Sequence, residues 1–374
     1  MSRIIDLTKH SAVYATRLLA EAGHDVIRIE QPQGDGLRRL GPYLGDKPNL
    51  ESGAYHQFFN AGKRSLALNL DSAGCRKVFL DLVRTADALI ANTPLPAEER
   101  ELLEANPRLI LTKVEDGEPE LCAFARSGLL AITGHPGKRP VLLGGHVVYA
   151  ASGLHVAVAT AAALYVQQPT GQGQVVTVSV KECLEALAEQ AMVTYISTGK
   201  VTERRGYRGA VTAISGAFPC SDGYWMVSVP HTPEGWAKFT AWVQDPLLLA
   251  DPSLADEAER SAKKDMVLDR LEQWSRRFKK DEVVTEAQQR HIPASPVATP
   301  LDLAQDPQLL ARGFLTEIEH PKFGRVNFPR GAVATVRGTQ LKPAPSLGEH
   351  NAEILAELGY SKAECQALFE SGAM

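Results

Sequence analysis

The sequence predicts an α/β protein: a large parallel-sheet domain of nucleotide-binding type, with a smaller α+β domain inserted before a C-terminal return. Three observations carry this. In the first half, short apolar runs alternate with segments of helical spacing, the pattern of βαβ units. Near residue 200 that pattern gives way to a β-hairpin and charged amphipathic helices. From about residue 330 the chain turns Pro-rich and extended, then closes in two short helices. A chain of 374 residues exceeds one ordinary core, so two or three domains are expected. The boundaries read as 1–200 for the large domain, 201–328 for the small one and 329–374 for the return.

The elements follow in order. IIDL (4–7) is strand, AVYATRLLAEAG (12–23) a helix stopped by Gly23, and DVIRIE (25–30) strand again. SLALNL (65–70) precedes a helix in DSAGCRKVFLDLVRTA, capped by Asp71 or Ser72. ALIAN (88–92), a helix in PAEERELLEANP and the strand RLILTKV (108–114) come next. GGHVVYAASG (144–153) leads into a small-residue helix, with Ser152 as N-cap and His155 packed inside. TGQGQ is a tight turn into VVTVSV (175–180), because a dinucleotide loop would lead into a helix instead. KECLEALAEQAMVTYIS is helix. In the second half GAFPCSDGYWMVSV (216–229) is a hairpin turning at Ser221-Asp222-Gly223. EGWAKFTAWV and DEAERSAKKDMVLDRLEQWSRRF have the three-and-four spacing of amphipathic helices.

Composition narrows the function classes. With 44% hydrophobic and 22% charged residues and a net charge of −4, the chain is ordinary for a soluble globular protein. No basic block or aromatic–basic interleaving argues for nucleic acid. Five widely spaced cysteines without a CxxC suggest a reduced, cytoplasmic chain with no disulfide framework and no zinc site. The best membrane candidate, AASGLHVAVATAAALYV (150–166), is short, Ala/Gly-rich and carries His155, so a helix buried in protein is expected and no membrane partner.

Candidate chemistry is sparse. QPQGDGLRRLGP (31–42) follows the second strand, where glycines admit a ligand and Arg38 and Arg39 could grip phosphate. A solvated loop with surface arginines is the plain alternative. Lys63 and Arg64, after Asn60-Ala61-Gly62, form a candidate anion site or merely an exposed strand entry. No GxGxxG, GKS/T, HExxH or GxSxG occurs, and no histidine has metal-ligand spacing. Cys75 and Cys183 fall within helices and read as core.

Taken in order, several stretches resemble the class III coenzyme A transferase family, the CaiB/BaiF group. They are IIDLTKHSAVYATRLLAEAGHDVIRIEQPQGDGLRR, NAGKRSLALNLDSAGCRKVFLDLVRTADALIAN, PTGQGQVVTVSVKECLEA, CSDGYWMVSV, IPASPV, DPQLLARGF and APSLGEHNAEILAELGYS. The resemblance implies a Rossmann-like large domain with a small domain, two chains interlocked as a dimer, and transfer of CoA from an acyl-CoA to a carboxylic acid. Relatives of the same fold racemise 2-methylacyl-CoA. CoA is then substrate or ligand, and no other cofactor is implied. Arg38, Lys63 and Arg64 would meet the CoA phosphates and adenosine, and Arg17 stands where transferases often carry a polar active-site residue.

The sequence departs from the family where the chemistry should be. The family nucleophile is an aspartate four residues before a glycine, in a D-x-x-x-G-[LM]-H pattern. Here that glycine is Gly153, followed by Leu154-His155, and the aspartate position holds Tyr149. No carboxylate occurs anywhere from 140 to 180. The family reaction needs one, because it forms a mixed anhydride and then an enzyme-bound thioester. A phenol with an ordinary pKa of about 10 cannot take that part. The family's first-loop Gly-Pro is replaced by Ser11-Ala12-Val13, its Asn-Phe-Arg-Pro-Gly segment by NTPLP (92–96), and a long loop after RLILTKV is cut to EDGEPE.

Three readings follow. In the first, the chain has no catalytic residue of its own and pairs with a homologous, Asp-bearing chain. In the second, it self-dimerises and processes an acyl-CoA with Tyr149, Arg17 or His146 as acid or base. In the third, it binds CoA through Arg38, Lys63 and Arg64 without catalysis.

Overall fold

The computed structural model describes residues 1–115, 117–208, 214–331 and 342–374. Asp116 of the shortened EDGEPE loop and residues 332–341 of the Pro-rich stretch lie outside the described residues. The chain divides into two units. The large unit comprises Met1–Leu129, Leu143–Val193 and Gln308–Met374, and the small unit Leu130–Leu142 and Thr194–Pro307. The return to the large unit therefore begins at Gln308 rather than 329, and residues 130–142 go with the small unit.

The large unit is built on β1 (Arg3–Leu7), β2 (Asp25–Glu30), β3 (Arg64–Ala67), β4 (Ala88–Ala91), β5 (Ile110–Glu115) and β6 (Gln174–Ser179). All pair parallel in the order β3-β2-β1-β4-β5-β6. That order reverses between β1 and β4, as in a doubly wound Rossmann-type sheet. The central strands are buried almost throughout because helices cover both faces. The helices along this part of the chain are α1 (Val13–Glu21), α2 (Ala54–Phe59), α3 (Ala73–Thr85), α4 (Glu99–Ala105), α5 (Glu120–Arg126), the single turn α6 (Leu129–Ile132), α7 (Val147–Thr170), α8 (Val180–Leu187) and α9 (Glu189–Thr198); of these α6 passes into the small unit and α9 ends there.

On one face, Ile5, Ile27, Leu89 and Leu111 bury against Val78, Phe79 and Leu82 of α3. Ile354 and Leu355 of the C-terminal helix Asn351–Glu357 join that core. Ser72 caps α3 by accepting from the Cys75 N–H, which settles the choice with Asp71. On the other face α7 packs against α1, β5, β6 and α8. In the small unit, β7 (Ser215–Cys220), β8 (Gly223–Ser228) and β9 (Ala294–Pro296) form an antiparallel sheet. Its core holds Phe218, Trp225, Phe239, Leu268 and Trp274. A second hairpin, β10 (Leu315–His320) and β11 (Gly324–Pro329), lies in the return and belongs to the large unit; the sequence reading assigns it no strands.

The small-residue helix differs from expectation. It starts at Val147, so Ser152 lies inside it and is not the N-cap. The Ser152 hydroxyl instead donates to the Ser11 carbonyl at 2.7 Å and the Val148 carbonyl at 3.1 Å, tying α7 to the loop after β1. The cap position is His146, in the left-handed region at φ 54° and ψ 40°. His155 is exposed on α7, not packed within it. KECLEALAEQAMVTYIS breaks at Ala188 into α8 and α9. By length and composition α7 could cross a membrane, yet Val148, Val156, Thr160 and Leu164 are buried in the unit.

Gly153 lets α1 and α7 meet. A Cβ there would stand 2.8 Å from Tyr14 Cβ and 3.2 Å from the Ala15 backbone nitrogen. Gly153→Val is therefore expected to cost about 1–3 kcal/mol of overpacking, lowering the urea midpoint. Gly144→Ala, with nothing within 4 Å of the added carbon, should leave it nearly unchanged.

Candidate functional site

The carboxyl ends of β1, β2 and β4 open into a crevice of about 460 Å³, at the point where the strand order reverses. Ligands of open α/β sheets bind there. Lys9, Arg28, Asp35, Gly36, Asp71 and Thr93 line it. Asp35 shapes its rim by accepting from the Leu37 N–H, which starts a short 3₁₀ turn at Gly36–Arg39.

Beneath the crevice lies a network of buried charge. The Asp6 carboxylate accepts from Thr8 Oγ1 at 2.6 Å, Thr16 Oγ1 at 2.8 Å, Lys63 Nζ at 2.8 Å and Arg28 Nη1 at 3.2 Å. Arg28 also pairs with Asp35. Burial by itself raises the Asp6 carboxyl, but Lys63 and Arg28 more than cancel this and hold it well below the usual carboxylate range. Burial lowers the Lys63 ammonium to about 8, against the pull of Asp6. Arg38 is fully buried. It grips both Glu30 oxygens at 2.7 Å, and reaches Glu51 at 2.9 Å and His56 at 3.1 Å. Burial, then the Arg38 charge, push His56 well below its ordinary value, so it is neutral at pH 7.

The residues to which the resemblance gives a CoA-binding role have protein partners here. Lys63 donates to Asp6, Thr16 and Asn60. Arg38 meets two carboxylates, and Arg64 pairs with Asp25, Glu353 and Glu357. In this geometry all three cations hold the large unit together and do not face the crevice. A buried ammonium or guanidinium is costly unless carboxylates meet it, and Asp6 and Glu30 do so for Lys63 and Arg38. The exposed cation at the crevice is Lys9, which sequence reading passed over because one lysine after a strand carries no signal.

A second cavity, of about 480 Å³, lies between α1, α2 and the start of α7. Its walls include Tyr14, Tyr55, Phe58, Phe59, His146 and Ala150. Tyr14 stacks on Phe58 at 6.2 Å, and Phe59 meets Tyr14 and Phe58 edge-on at 6.0 and 5.0 Å. Behind the wall Arg17 is buried. Its Nε donates to the Phe58 carbonyl at 2.9 Å, and Nη1 pairs with Glu21 at 3.0 Å. Arg17 thus braces the cavity and does not enter it.

At the mouth, His146 Nδ1 is 3.0 Å from Glu120 Oε2 and Nε2 is 3.1 Å from the Tyr55 hydroxyl. The imidazole lies nearly parallel to the Tyr149 ring, 5.8 Å away. Tyr149 is in the first turn of α7, where its ring faces His146 and, at 6.3 Å, His10. Glu120 escaped sequence reading. It opens α5 after the shortened loop, and only the fold returns it to the start of α7. Among the described residues no group of His, Cys, Asp and Glu could hold a metal ion.

A doubly wound large unit, with a small α+β unit inserted in its sequence, is an architecture the chain shares with a solved CAIB/BAIF structure. Residues 2–351 match CoA-transferase family III, and the chain belongs to that family. Over 410 residues it is 30% identical to the succinyl-CoA:(R)-benzylsuccinate CoA-transferase subunit BbsE of Thauera aromatica, covering 100% of this chain and 97% of the relative. It is 29% identical to the succinyl-CoA:mesaconate CoA-transferase of Haloarcula hispanica, over 96% of this chain and 95% of the relative. The crystal structure of a CAIB/BAIF family protein from Brucella suis superposes with a TM-score of 0.83 at 25% identity, over 96% and 98% of the two chains.

Asp6→Asn removes the shared counter-charge of Lys63 and Arg28, and is expected to lose about 3–5 kcal/mol in urea unfolding. The folded carboxyl sits below its unfolded value of about 3.9, so the folded state binds fewer protons. Its stabilisation is present above that value and fades as pH falls from there toward the folded pKa. Unfolding curves from pH 7 to 3 should show a smaller acid loss in the variant than in the parent.

Proposed function

We propose that this chain is the non-catalytic subunit of a heteromeric class III CoA-transferase, paired with a homologous chain that supplies the nucleophilic carboxylate. One observation carries the reading: the first turn of α7 presents Tyr149 at the family's nucleophile position, and no carboxylate lies between 140 and 180. A phenol ester cannot relay CoA through an anhydride, since phenoxide attack gives an ester that CoA thiolate reopens far less readily. The relative BbsE, itself named as a subunit of a CoA-transferase, supports a heteromeric assembly.

The surface fits the same reading. Leu154, Val158, Tyr165 and Val166 of α7, with Met192 and Val193 of α9, are exposed apolar side chains. An apolar patch of this kind suits a permanent partner, and an interlocked pairing would cover it. CoA would place its nucleotide in the crevice between β1, β2 and β4, near Lys9. All five cysteines are free, which accords with a reducing cytoplasm.

A second reading rests on Glu120 and His146, whose 3.0 Å contact makes an acid–base couple beside the cavity. It requires the isolated chain to turn over an acyl-CoA. Co-purification from the source organism, with mass identification of bound chains, tests the first reading. Hydroxylamine trapping during turnover should label the partner and not this chain, and Tyr149→Phe should leave the transfer rate of the complex unaltered. Failure to find any homologous partner would sink it. Turnover by the chain alone, lost in His146→Gln, would establish the second reading instead.

A further inference from the structure

The geometry points to a ligand site in the cavity between α1, α2 and the start of α7, one that takes the aryl end of a carboxylic acid or of its CoA thioester. The site stands on the geometry of this chain alone; that its ligand is an acid or acyl group rests on the reading above.

The walls select a flat ring. Tyr14 and Phe58 stack on each other and Phe59 packs edge-on against both, with centroid separations of 6.2, 6.0 and 5.0 Å. Tyr55 stacks on Phe59 at 6.2 Å, so four aromatic side chains wall one cavity. A ligand ring among four aromatic side chains gains face and edge contacts beyond its buried area, whereas an alkyl chain gains only buried area. A cavity of about 480 Å³ holds a substituted phenyl group with room for a short side chain.

The mouth selects a polar end. Glu120 holds the Nδ1 proton of His146, so Nε2 and the Tyr55 hydroxyl share the next proton across 3.1 Å. A ligand carboxylate that enters with one proton taken up by the Nε2–phenol pair accepts from the Tyr55 hydroxyl, while Nε2–H donates to the phenol oxygen. The Glu120 carboxylate faces the other ring nitrogen from α5, and the Tyr149 face, 5.8 Å away, keeps the imidazole in plane. Arg17, buried behind Phe58, stiffens the wall from outside the cavity lining. A group fixed by an ion pair, a hydrogen bond and a stacked ring loses little freedom on binding.

Three probes separate the terms: 3-phenylpropanoate has ring and carboxylate, hexanoate lacks the ring, and 3-phenylpropanol lacks the charge. In titration calorimetry on the full chain, alone and with its partner, 3-phenylpropanoate should bind at least about tenfold more tightly than either other probe. His146→Gln and Tyr55→Phe should bring it to the level of the alcohol, and Phe59→Leu should bring it toward hexanoate. Urea midpoints near the parent's would show that these variants are folded. Equal affinities for the three probes, or no binding of 3-phenylpropanoate up to millimolar concentration in either form, overturns the proposal. A complex that transfers CoA but shows no such binding would sink the site and leave the subunit reading standing. Aryl-acid binding by a chain with no partner would do the reverse.

Discussion

The carboxylate of Asp6 holds the carboxyl end of the large sheet in one arrangement. It sits at the end of β1 and draws in Arg28 from β2, Lys63 from the entry to β3 and Thr16 from α1. Each of those cations is buried and would be costly alone, and together they make a buried carboxylate tolerable. Through Arg28 the network reaches Asp35, and through Asp35 it shapes the rim of the crevice. The neighbouring cluster of Arg38, Glu30, Glu51 and His56 fixes the next loop in the same manner. The residues that look most like phosphate ligands are thereby engaged in building the floor on which a ligand would rest.

The second constraint is steric. α1 and α7 approach so closely at Gly153 that no side chain fits, and this places Tyr14 against the start of α7. The Ser152 hydroxyl bonds the loop after β1 at the same level. The crevice at the strand ends and the aromatic cavity are consequently linked by a few residues: Lys9 lines one and Tyr14 the other. At the mouth of the cavity Glu120, His146 and Tyr55 meet, with the Tyr149 ring alongside the imidazole.

How much was legible in the sequence depended on range. DVIRIE announced β2 to the residue, and Ser72 was readable as a cap, because apolar runs and capping are local effects. The hairpin at Ser221 and Asp222 was readable for the same reason. The true start of α7 was not, since His146 adopts a left-handed conformation that packing against Glu120 and Tyr55 supports. Ser152 has the composition of a cap, and only its distance to the Ser11 carbonyl reveals its part.

What the sequence determined by itself was the order of strands and helices, the membership suggested by motifs in a fixed order, and the absence of a carboxylate around Tyr149. These are properties of neighbours along the chain. The tertiary structure alone decided which charges face a ligand and which are engaged internally. Arg38 and Lys63 read identically to surface cations until Glu30 and Asp6 are seen beside them. Glu120 became part of the site only when the fold carried α5 to α7. Burial and pairing are set by segments far apart in the chain, and electrostatics follows distance in space.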